Sequence, residues 1–591
     1  MQRSCKQCGS TFEITQDDLA FYDKVSPVFN GKKELIPPPS LCPDCRLQHR
    51  FAWRNERHLF RRPCMLCGKS ILANYHTNAV PPVYCLDCWW GDQWDALTSG
   101  VPLHQPQDFW SQFGMLSGST PRPALQVLNG QNADFTNFSR DAKDCYLCFS
   151  TVHCERCLYV THTDESRDCM DGEGDEECEL CYECSNCINC YHLTHSVRCE
   201  NCSDASFLYD CKSCQHCYMS ANLRDRQYIF RGQQLSPDEY ERQLAAEHLE
   251  TVTGLNRSWH QFENVLHKAL HHSLITQSEN CSGDILKNCK NCRECFDCFS
   301  GEDSIRCYRS PPTFRDCCEC YGVYGGSELS MEISNGKNVI RTFAAIQCQN
   351  IEECQYCIHC YSSHHLFGCI GMRNKEYCIL NKQYTKEKYE MLVPEIIEHM
   401  RKTPLRSSLL RPAFAEASAG KQGYEGQAGV TEGQAGEWGA FFPIELSPFA
   451  FNETIAQEYF PITEQEAEKR GWQWREEKDE IPKVSKVIPA SALPDSIDDI
   501  PDDILNWAIE CETTKRPFKI IKQELEFYRK MKLPIPHFHP DERHRRRMAL
   551  RNPRRLWTRP CMKCGKQMET TYAPERPETV YCEECYLKEV Y

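Results

Sequence analysis

The chain has 591 residues, 43 of which are cysteine, and a formal net charge of -15 at pH 7. Its length is enough for several domains with buried cores. The negative balance argues against a protein that is basic overall, as general nucleic-acid binders are, although a local basic patch remains compatible with it.

Two classes of protein are rich in cysteine, namely secreted disulfide scaffolds and metal-binding proteins. Residues 1–5 include no apolar signal region, and no run of about 18 apolar residues could span a membrane. We therefore expect a cytoplasmic chain with reduced cysteines and no membrane contact.

The first cysteine motif joins two C-x2-C pairs and predicts a zinc ribbon. Its four thiols are Cys5, Cys8, Cys42 and Cys45. Zinc prefers four soft ligands in a tetrahedron, and each pair supplies two of them. Gly9 follows the first pair, where a tight turn often needs a positive φ.

A helix is predicted from about Pro43 to Phe60, and arginines recur along it at intervals of three or four residues. They are Arg46, Arg50, Arg54 and Arg57. This spacing places them on one helix face. Two interpretations stay open: a solvated face or ion pairs with acidic residues of the same chain, and contact with a nucleic acid or a protein partner.

A second motif of the same kind follows and has a twin near the other end of the chain. The predicted zinc ligands are Cys64, Cys67, Cys85 and Cys88, and in the twin Cys561, Cys564, Cys582 and Cys585. Seventeen residues separate the two pairs in both copies. We expect three structural Zn²⁺ sites from these three motifs.

In the middle of the chain, the cysteines are spaced at multiples of three residues. Fifteen cysteines between residues 145 and 217 share one remainder on division by three. This period fits neither a helix nor simple strand alternation, and it favours a β-solenoid of short strands and corners with one small side chain per segment pointing inward. Separations of 12 and 9 residues recur almost equally often, so a 12-residue turn is only weakly preferred.

A second cysteine-rich stretch repeats the first at an offset of 149 residues. At that offset Cys181, Cys184 and Cys187 correspond to Ser330, Ile333 and Gly336. A fixed metal cage would not tolerate those replacements, so we favour a core lined by free thiols. Zinc held by pairs of C-x2-C remains the alternative, and additional Zn²⁺ would then bind in the solenoids.

The C-terminal block matches the N-terminal one at an offset of 497 residues. The arginines recur there as Arg543, Arg547, Arg551 and Arg554. The first ribbon of this copy has lost its pattern, because Cys511, Thr514, His539 and Glu542 stand where four cysteines are expected. We favour a relict fold held by apolar residues over a zinc site with Cys511, His539 and Glu542 as ligands and one open position.

The motif Cys5-x2-Cys8-Gly9, Phe21-Tyr22, Cys42-Pro43-x-Cys45-Arg46 resembles the probable zinc-ribbon domain of bacteria. The arrangement of ribbons and cysteine-rich middle resembles large cysteine-rich zinc-ribbon proteins of candidate-phyla bacteria. The resemblance implies zinc binding and brings no established activity.

The predicted fold class is α+β and multidomain, with zinc ribbons at both ends, two cysteine-rich β-solenoid repeats in the middle, and connecting helices. The predicted segments are ribbon I with its arginine helix (1–62), ribbon II (63–95), a connector (96–123), solenoid A (124–235), a helical connector (236–277), solenoid B (278–384), a helix (385–402), a flexible linker (403–440), a mixed connector (441–504), a degenerate copy of ribbon I with its arginine helix (505–558) and a copy of ribbon II (559–591).

These features predict a zinc-binding scaffold or interaction protein that is not an enzyme. Its arginine helices would contact a protein or a nucleic acid, and no motif indicates a small-molecule substrate. The alternative is a thiol-rich redox or metal-storage protein that uses the solenoid cysteines. Acidic neighbours such as Asp144, Asp168 and Glu177 argue against reactive thiols, because they raise thiol pKa values.

Overall fold

The computed structural model describes residues 1–103, 107–310, 313–320, 327–333, 336, 339–404, 436–476 and 483–591. Most of the linker predicted for 403–440 lies outside the described residues. The fold is a mixed α/β, multidomain arrangement with two compact units. Unit 1 comprises Met1–Leu125 and Leu274–Arg475, and unit 2 comprises Gln126–Ser273 and Glu476–Tyr591.

Unit 1 combines short helices with many short strands. Its α-helices are Gln16–Val25, Pro43–Phe51, Leu86–Trp90, Phe109–Ser119, Lys386–Lys402, Ile455–Tyr459 and Glu464–Lys469. Its strands are Gln2–Ser4, Thr11–Glu13, Val28–Phe29, Lys32–Lys33, Phe60–Pro63, Ser70–Ala73, Val83–Tyr84, Arg122–Pro123, Ile275–Thr276, Gly283–Lys287, Cys295–Phe299, Gly301–Glu302, Tyr308–Ser310, Phe314–Arg315, Cys317–Cys318, Ser327–Glu328, Ser330–Met331, Val339–Ile340, Gln349–Gln355, Tyr361–Phe367, Glu376–Ile379 and Lys382–Gln383.

Unit 2 has the same mixture of elements. Its α-helices are Pro237–Ala245, Val252–Lys268, Lys522–Met531, Pro540–Ala549 and Glu583–Val590. Its strands are Val127–Leu128, Ser139–Arg140, Tyr191–Thr194, Ser203–Tyr209, Gln215–Ala221, Gln227–Phe230, Gln233–Gln234, Leu270–His271, Lys486–Pro489, Trp507–Glu510, Pro517–Phe518, Trp557–Pro560, Gln567–Thr570 and Thr579–Val580.

The cysteine-rich part of unit 2 is a ladder of parallel β pairings with a constant offset of twelve residues. The pairings run from Gln131 with Lys143 to Lys212 with Arg224. The Lys143 N–H donates to the carbonyl of Cys154, and the Asp144 N–H donates to the carbonyl of Gln131, both at 2.9 Å. Each stretch of twelve residues is therefore hydrogen-bonded to the stretch before it and the stretch after it.

The backbone conformation explains the three-residue period of the cysteines. Within each triplet one residue pairs with neighbouring strands, the next has a positive φ, and the third points into the core. Asp144, Leu147 and Ser150 have φ values of 53°, 51° and 55°. The residues that follow the first two, Cys145 and Cys148, are buried. The left-handed residue turns the chain, so four triplets complete one twelve-residue step.

Most inward positions hold a short side chain that donates a hydrogen bond, and others hold alanine, valine or leucine. The Cys145 thiol donates to the carbonyl of Lys143 at 3.3 Å and to that of Cys154 at 3.4 Å. Where the cysteine is replaced, Ser166 donates in the same way to the carbonyl of Asp164, at 3.0 Å. The carbonyls already accept a backbone N–H, so the thiol or hydroxyl adds a second hydrogen bond to each and is itself satisfied inside the core. This is the thiol-lined core that the sequence predicts.

The corresponding ladder of unit 1 is less regular. Gly283 pairs with Cys295 at an offset of twelve, whereas Gly301 pairs with Phe314 at an offset of thirteen. A second thirteen-residue step joins Cys317 to Ser330. Each thirteen-residue step adds one residue to the twelve-residue spacing. The two steps together shift the three-residue period by two residues, which explains why cysteines up to 307 and cysteines from 348 onward occupy different phases of that period.

One pair of core cysteines in unit 1, Cys307 and Cys320, is joined by a disulfide. The other cysteines of the described residues are free thiols.

The helices confirm part of the sequence prediction and correct another part. Ser236 caps the helix Pro237–Ala245 by accepting a hydrogen bond from the Glu239 N–H. The helix predicted from Pro43 to Phe60 ends at Phe51 instead. The Asn55 side chain donates to the carbonyls of His58 and Asn74, so it stabilises a turn rather than another helical segment. Within the described ranges, we find no helix with the length and apolar character needed to cross a bilayer.

Asn189 tests the left-handed corners of unit 2, because its φ is 52° and its side chain is exposed. We expect Asn189→Val to lower the free energy of unfolding by about 1–3 kcal/mol, since a β-branched residue is strained at this φ. Asn189→Gly is the control, because it removes the same side-chain hydrogen bond to Asn201 and tolerates the backbone. Denaturant unfolding of the full chain measures both, and equal stabilities of the two variants would contradict the prediction.

Candidate metal centres and the contacts that hold them

Twelve predicted zinc ligands come together as three sets of four thiols. The sets are Cys5, Cys8, Cys42 and Cys45; Cys64, Cys67, Cys85 and Cys88; and Cys561, Cys564, Cys582 and Cys585. Within each set the sulfur atoms lie within 4.8 Å of one another. The chain is thus a cysteine-rich protein with three tetracysteine clusters that are consistent with zinc binding.

The first C-x2-C pair of each set lies in a tight turn at the end of a hairpin or short strand pair. The Cys64 N–H donates to the carbonyl of Lys69, and the Gly68 N–H donates to the carbonyl of Cys64, both at 2.8 Å. Gly68 has a φ of +76°, a value that costs glycine nothing. Gly565 repeats this φ in the C-terminal copy.

The second pair of each set lies at the start of a helix. Cys42, Cys85 and Cys582 are the N-cap residues of the helices Pro43–Phe51, Leu86–Trp90 and Glu583–Val590. The positive end of a helix dipole favours thiolates over thiols. These positions therefore suit ligands that must be deprotonated to bind a metal.

The spacing of the sulfur atoms fits zinc. Sulfur–sulfur distances are 3.7 Å for Cys8 and Cys42, and 3.9 Å for Cys67 and Cys85. A tetrahedron with Zn–S bonds of about 2.3 Å has edges of about 3.8 Å. The donor set and its size thus match a closed zinc site with four thiolate ligands in each case.

Backbone hydrogen bonds lower the pKa of two of the thiols, Cys64 and Cys561. Burial opposes ionisation of Cys64 and Cys561, but backbone hydrogen bonds donated to these sulfurs outweigh it and lower each pKa to about 6. The Cys85 N–H donates to Cys64 at 3.3 Å, and the Cys582 N–H donates to Cys561 at 3.2 Å. Hydrogen bonds to a charged form stabilise that form.

The degenerate first ribbon of the C-terminal copy differs from these three sets. Cys511 is buried, but the Glu542 carboxylate pairs with Arg545 at 2.7 Å and with Arg546 at 3.2 Å. Among the described residues, Cys511, His539 and Glu542 do not form a group with metal-ligand spacing. The apolar residues retained around Cys511, including Phe518 and Tyr528, are buried together with it.

In unit 1 the arginines of the first ribbon face a buried carboxylate of the ladder. The guanidinium groups of Arg46 and Arg306 donate to the Glu319 carboxylate at 2.8 and 3.0 Å. Arg50 donates to the other oxygen of the same carboxylate. Burial opposes ionisation of Glu319, yet these three cations hold its pKa well below the usual range.

Unit 2 repeats the arrangement with different acids. Arg543 and Arg547 pair with the two oxygens of Asp171 at 2.6 and 2.9 Å. Arg551 pairs with Glu173 at 2.7 Å. Asp171 lies at a left-handed corner of the ladder, as Glu319 does in unit 1.

The structure therefore shows ion pairs within the chain for most of these arginines. Arg54 pairs with Glu56 at 2.6 Å, whereas Arg57 and Arg554 are partly exposed. Five of the eight side chains are buried: Arg46, Arg50, Arg54, Arg543 and Arg547. A phosphate backbone has no access to buried guanidinium groups in this conformation.

Sequence reasoning missed the residues that hold the second ribbons. Arg373 donates to the carbonyl of Trp89 at 2.9 Å, and Arg224 donates to the hydroxyl of Tyr586 at 2.6 Å. Both arginines belong to similar heptapeptides, residues 222–228 and 371–377, which lie 149 residues apart, and Trp89 and Tyr586 correspond at the offset of 497. Combining the two offsets could have indicated that Arg224 meets Tyr586 just as Arg373 meets Trp89.

Glu319→Gln tests the arginine–carboxylate contact. We expect a loss of about 3–5 kcal/mol in the free energy of unfolding, because Arg46 and Arg50 would stay buried without their carboxylate partner, whereas Arg306 would keep its pair with Asp18. Glu302→Gln is the control, since its pair with Arg315 is 3.8 Å long and half exposed, and we expect a change within about 0.5 kcal/mol. Denaturant unfolding measures both variants.

The pH dependence supplies a second readout for Glu319→Gln. A depressed folded-state pKa stabilises the fold at every pH above the unfolded value of about 4.3 and loses this contribution only in stronger acid. The difference between wild type and variant should therefore persist at neutral pH and shrink below about pH 4. A difference that vanished at neutral pH would contradict the ion-pair assignment.

Comparison with known proteins adds no family to these observations: no protein-family model matches the chain, and no curated protein or solved structure is similar to it. The three tetracysteine clusters are thus the features that bear most directly on its chemistry.

Proposed function

We propose that this protein is a zinc-stabilised scaffold or interaction protein without enzymatic activity. In each of its units, zinc ribbons dock against a β-solenoid with a thiol-lined core. The zinc ions would fix the ribbons, and the ribbons would cover the side of the solenoid that carries buried acids. The observation that carries the proposal is the presence of three closed tetracysteine sets.

The closed ligand sets support a structural role for the metal. A catalytic zinc site keeps a position open for water or substrate, whereas structural sites use four protein ligands. Each of the three sets offers four thiols within 4.8 Å of one another. When bound, zinc would supply folding free energy to ribbons that are too small to bury a large core.

The parallel ladders support the solenoid part of the proposal. A constant offset of twelve residues in unit 2 means that each turn contacts only its neighbouring turns. Such coils present long regular surfaces, which are commonly used to bind other macromolecules. The resemblance of the cysteine motifs to bacterial zinc ribbons points in the same direction.

A protein partner fits the exposed side chains better than a nucleic acid does. The arginines that the sequence assigned to partner contact are mostly occupied by carboxylates of their own unit. Large apolar side chains are instead exposed at matching positions of the two second ribbons, namely Met65 and Met562, and Trp90 and Leu587. Methionine and aromatic residues are enriched at protein–protein interfaces, whereas charged residues are depleted at their centres.

Metal counting on anaerobically purified full-length protein tests the proposal. We expect about three zinc ions per chain, since each structural site takes one ion. The double variant Cys64→Ser/Cys85→Ser should retain about two zinc ions, because oxygen ligands of serine replace two of the four thiolates. Elemental analysis by mass spectrometry gives the stoichiometry.

Two single variants are matched controls for this count. Cys511→Ser removes a buried thiol from the degenerate ribbon, and Cys154→Ser removes one from the ladder core. Neither should change the zinc content. Many more than three metal ions per chain, or a loss of metal in Cys154→Ser, would instead support the metal-storage alternative.

A further inference from the structure

The ladder of unit 2 stacks cysteines directly above one another in three columns. One column contains Cys145, Cys157, Cys169 and Cys181. The next contains Cys178, Cys190, Cys202 and Cys214. The third contains Cys187, Cys199 and Cys211. Consecutive members are twelve residues apart, which is the offset of the β pairings, so they occupy the same position of successive turns.

The thiols of these columns interact from one turn to the next. Side-chain interactions join Cys157 to both Cys145 and Cys169. The same contact joins Cys190 to Cys202 and Cys199 to Cys211. Each column is therefore a continuous file of sulfur atoms inside a core whose members are almost fully buried.

Unit 1 shows what this stacking permits. Cys307 and Cys320 occupy inward positions on successive turns of its ladder, and they form a disulfide with a Cα–Cα distance of 4.8 Å. Parallel strands lie about 4.7–4.9 Å apart, and disulfides accept Cα–Cα distances of about 4.4–6.8 Å. The Cα–Cα distance between stacked residues on successive turns therefore already lies in the range that a disulfide requires.

We propose that the three columns of unit 2 form a disulfide site, in which thiols stacked on successive turns are oxidised in pairs by a small-molecule disulfide. The inference goes beyond the zinc ribbons and does not depend on their metal. The bridges would join turns that are otherwise held by backbone hydrogen bonds, and oxidation would thereby lock the coil against unwinding.

The reaction is a thiol–disulfide exchange in two steps. A column thiolate attacks one sulfur of the oxidant, forms a mixed disulfide and releases one small thiol. The stacked thiolate then attacks the protein sulfur of that mixed disulfide, which closes the bridge and releases a second small thiol. Two protein S–H bonds become one S–S bond, and the two electrons and two protons leave with the two small thiols.

Burial sets the rate of this exchange. Burial raises the pKa of Cys199 well above the ordinary thiol value, so this thiol holds little thiolate at neutral pH. Hydrogen bonds from neighbouring side chains lower the pKa of Cys145, yet its burial still keeps an oxidant away. Exchange therefore proceeds when a turn opens locally, and it is faster in alkaline solution. An incubation at about pH 8.5, near the pKa of a free thiol, is the suitable condition.

The ladder contains its own control thiols. Cys154 is as deeply buried as Cys157, but the residues stacked on it are Ala142 and Ser166. Cys148 likewise lies between Thr136 and Val160. Each of these thiols interacts with a cysteine of its own turn, Cys154 with Cys157 and Cys148 with Cys145, but neither has a cysteine stacked on the next turn. If bridges form only between successive turns, both thiols should stay reduced.

Thiol mapping on the full-length, reduced protein tests the proposal. After incubation with oxidised glutathione, the protein is denatured, free thiols are blocked with N-ethylmaleimide, disulfides are reduced, and the released thiols are labelled with iodoacetamide. We expect the iodoacetamide label on Cys157 to exceed that on Cys154 at least fivefold in peptide mass spectrometry. Equal labelling of the two, or no oxidation of Cys157, would overturn the proposal.

Two variants make the pairing specific. In Cys157→Ser, Cys145 has Ala133 as its other stacked neighbour and should remain free, whereas Cys169 and Cys181 should still form a bridge. Cys154→Ser should leave the wild-type pattern unchanged. Serine already occupies inward positions such as Ser166, so the variants should keep the fold. Oxidation of Cys145 in Cys157→Ser to the wild-type extent would overturn the proposal.

Two further measurements separate this inference from the proposed function. Zinc content is determined on the same samples. A count below three bears on the ribbons alone, whereas a count well above three would indicate metal in the core and contradict the disulfide assignment. If a metal chelator were needed before the column thiols could be oxidised, metal binding in the core would replace the disulfide assignment.

Discussion

Two buried carboxylates, Glu319 in unit 1 and Asp171 in unit 2, connect the arginine-bearing helices Pro43–Phe51 and Pro540–Ala549 to the ladders. Each lies at a left-handed corner and faces arginines that are more than 250 residues away in sequence. Removing these charges from water is costly, and the cost is met only when several guanidinium groups surround the acid. This requirement couples the position of each ribbon to the path of its ladder, so neither part is independent of the other.

The ladder in turn depends on what its inward positions can accept. A turn of only twelve residues leaves room for small side chains, and a polar side chain buried there needs a carbonyl to which it can donate. The thiol of Cys145 and the hydroxyl of Ser166 both satisfy this condition. Cysteine in the core therefore has a packing role that does not require metal, and the stacking that follows from it brings thiols close enough to react with one another.

The two units reach the same arrangement by different details. Asp171 is replaced by Glu319, and turns of thirteen residues interrupt the twelve-residue register in unit 1. Arg224 and Arg373 occupy matching positions of the two cysteine-rich stretches and contact matching residues of the second ribbons, the hydroxyl of Tyr586 and the carbonyl of Trp89. The same pair of segments therefore meets in both units, although the acid, the turn length and the accepting atom differ.

The sequence by itself determined the twelve thiols of the three tetracysteine sets, because ligand spacing within a ribbon is local. It also indicated a thiol-lined core, since a period of three is visible without knowing how the turns stack. The tertiary structure alone decided the length of a turn, because separations of 9 and 12 residues are nearly equal in number along the chain. It also decided which groups the arginines contact: periodicity placed Arg46 and Arg543 on a helix face, but only the folded chain brings the distant Glu319 and Asp171 to them.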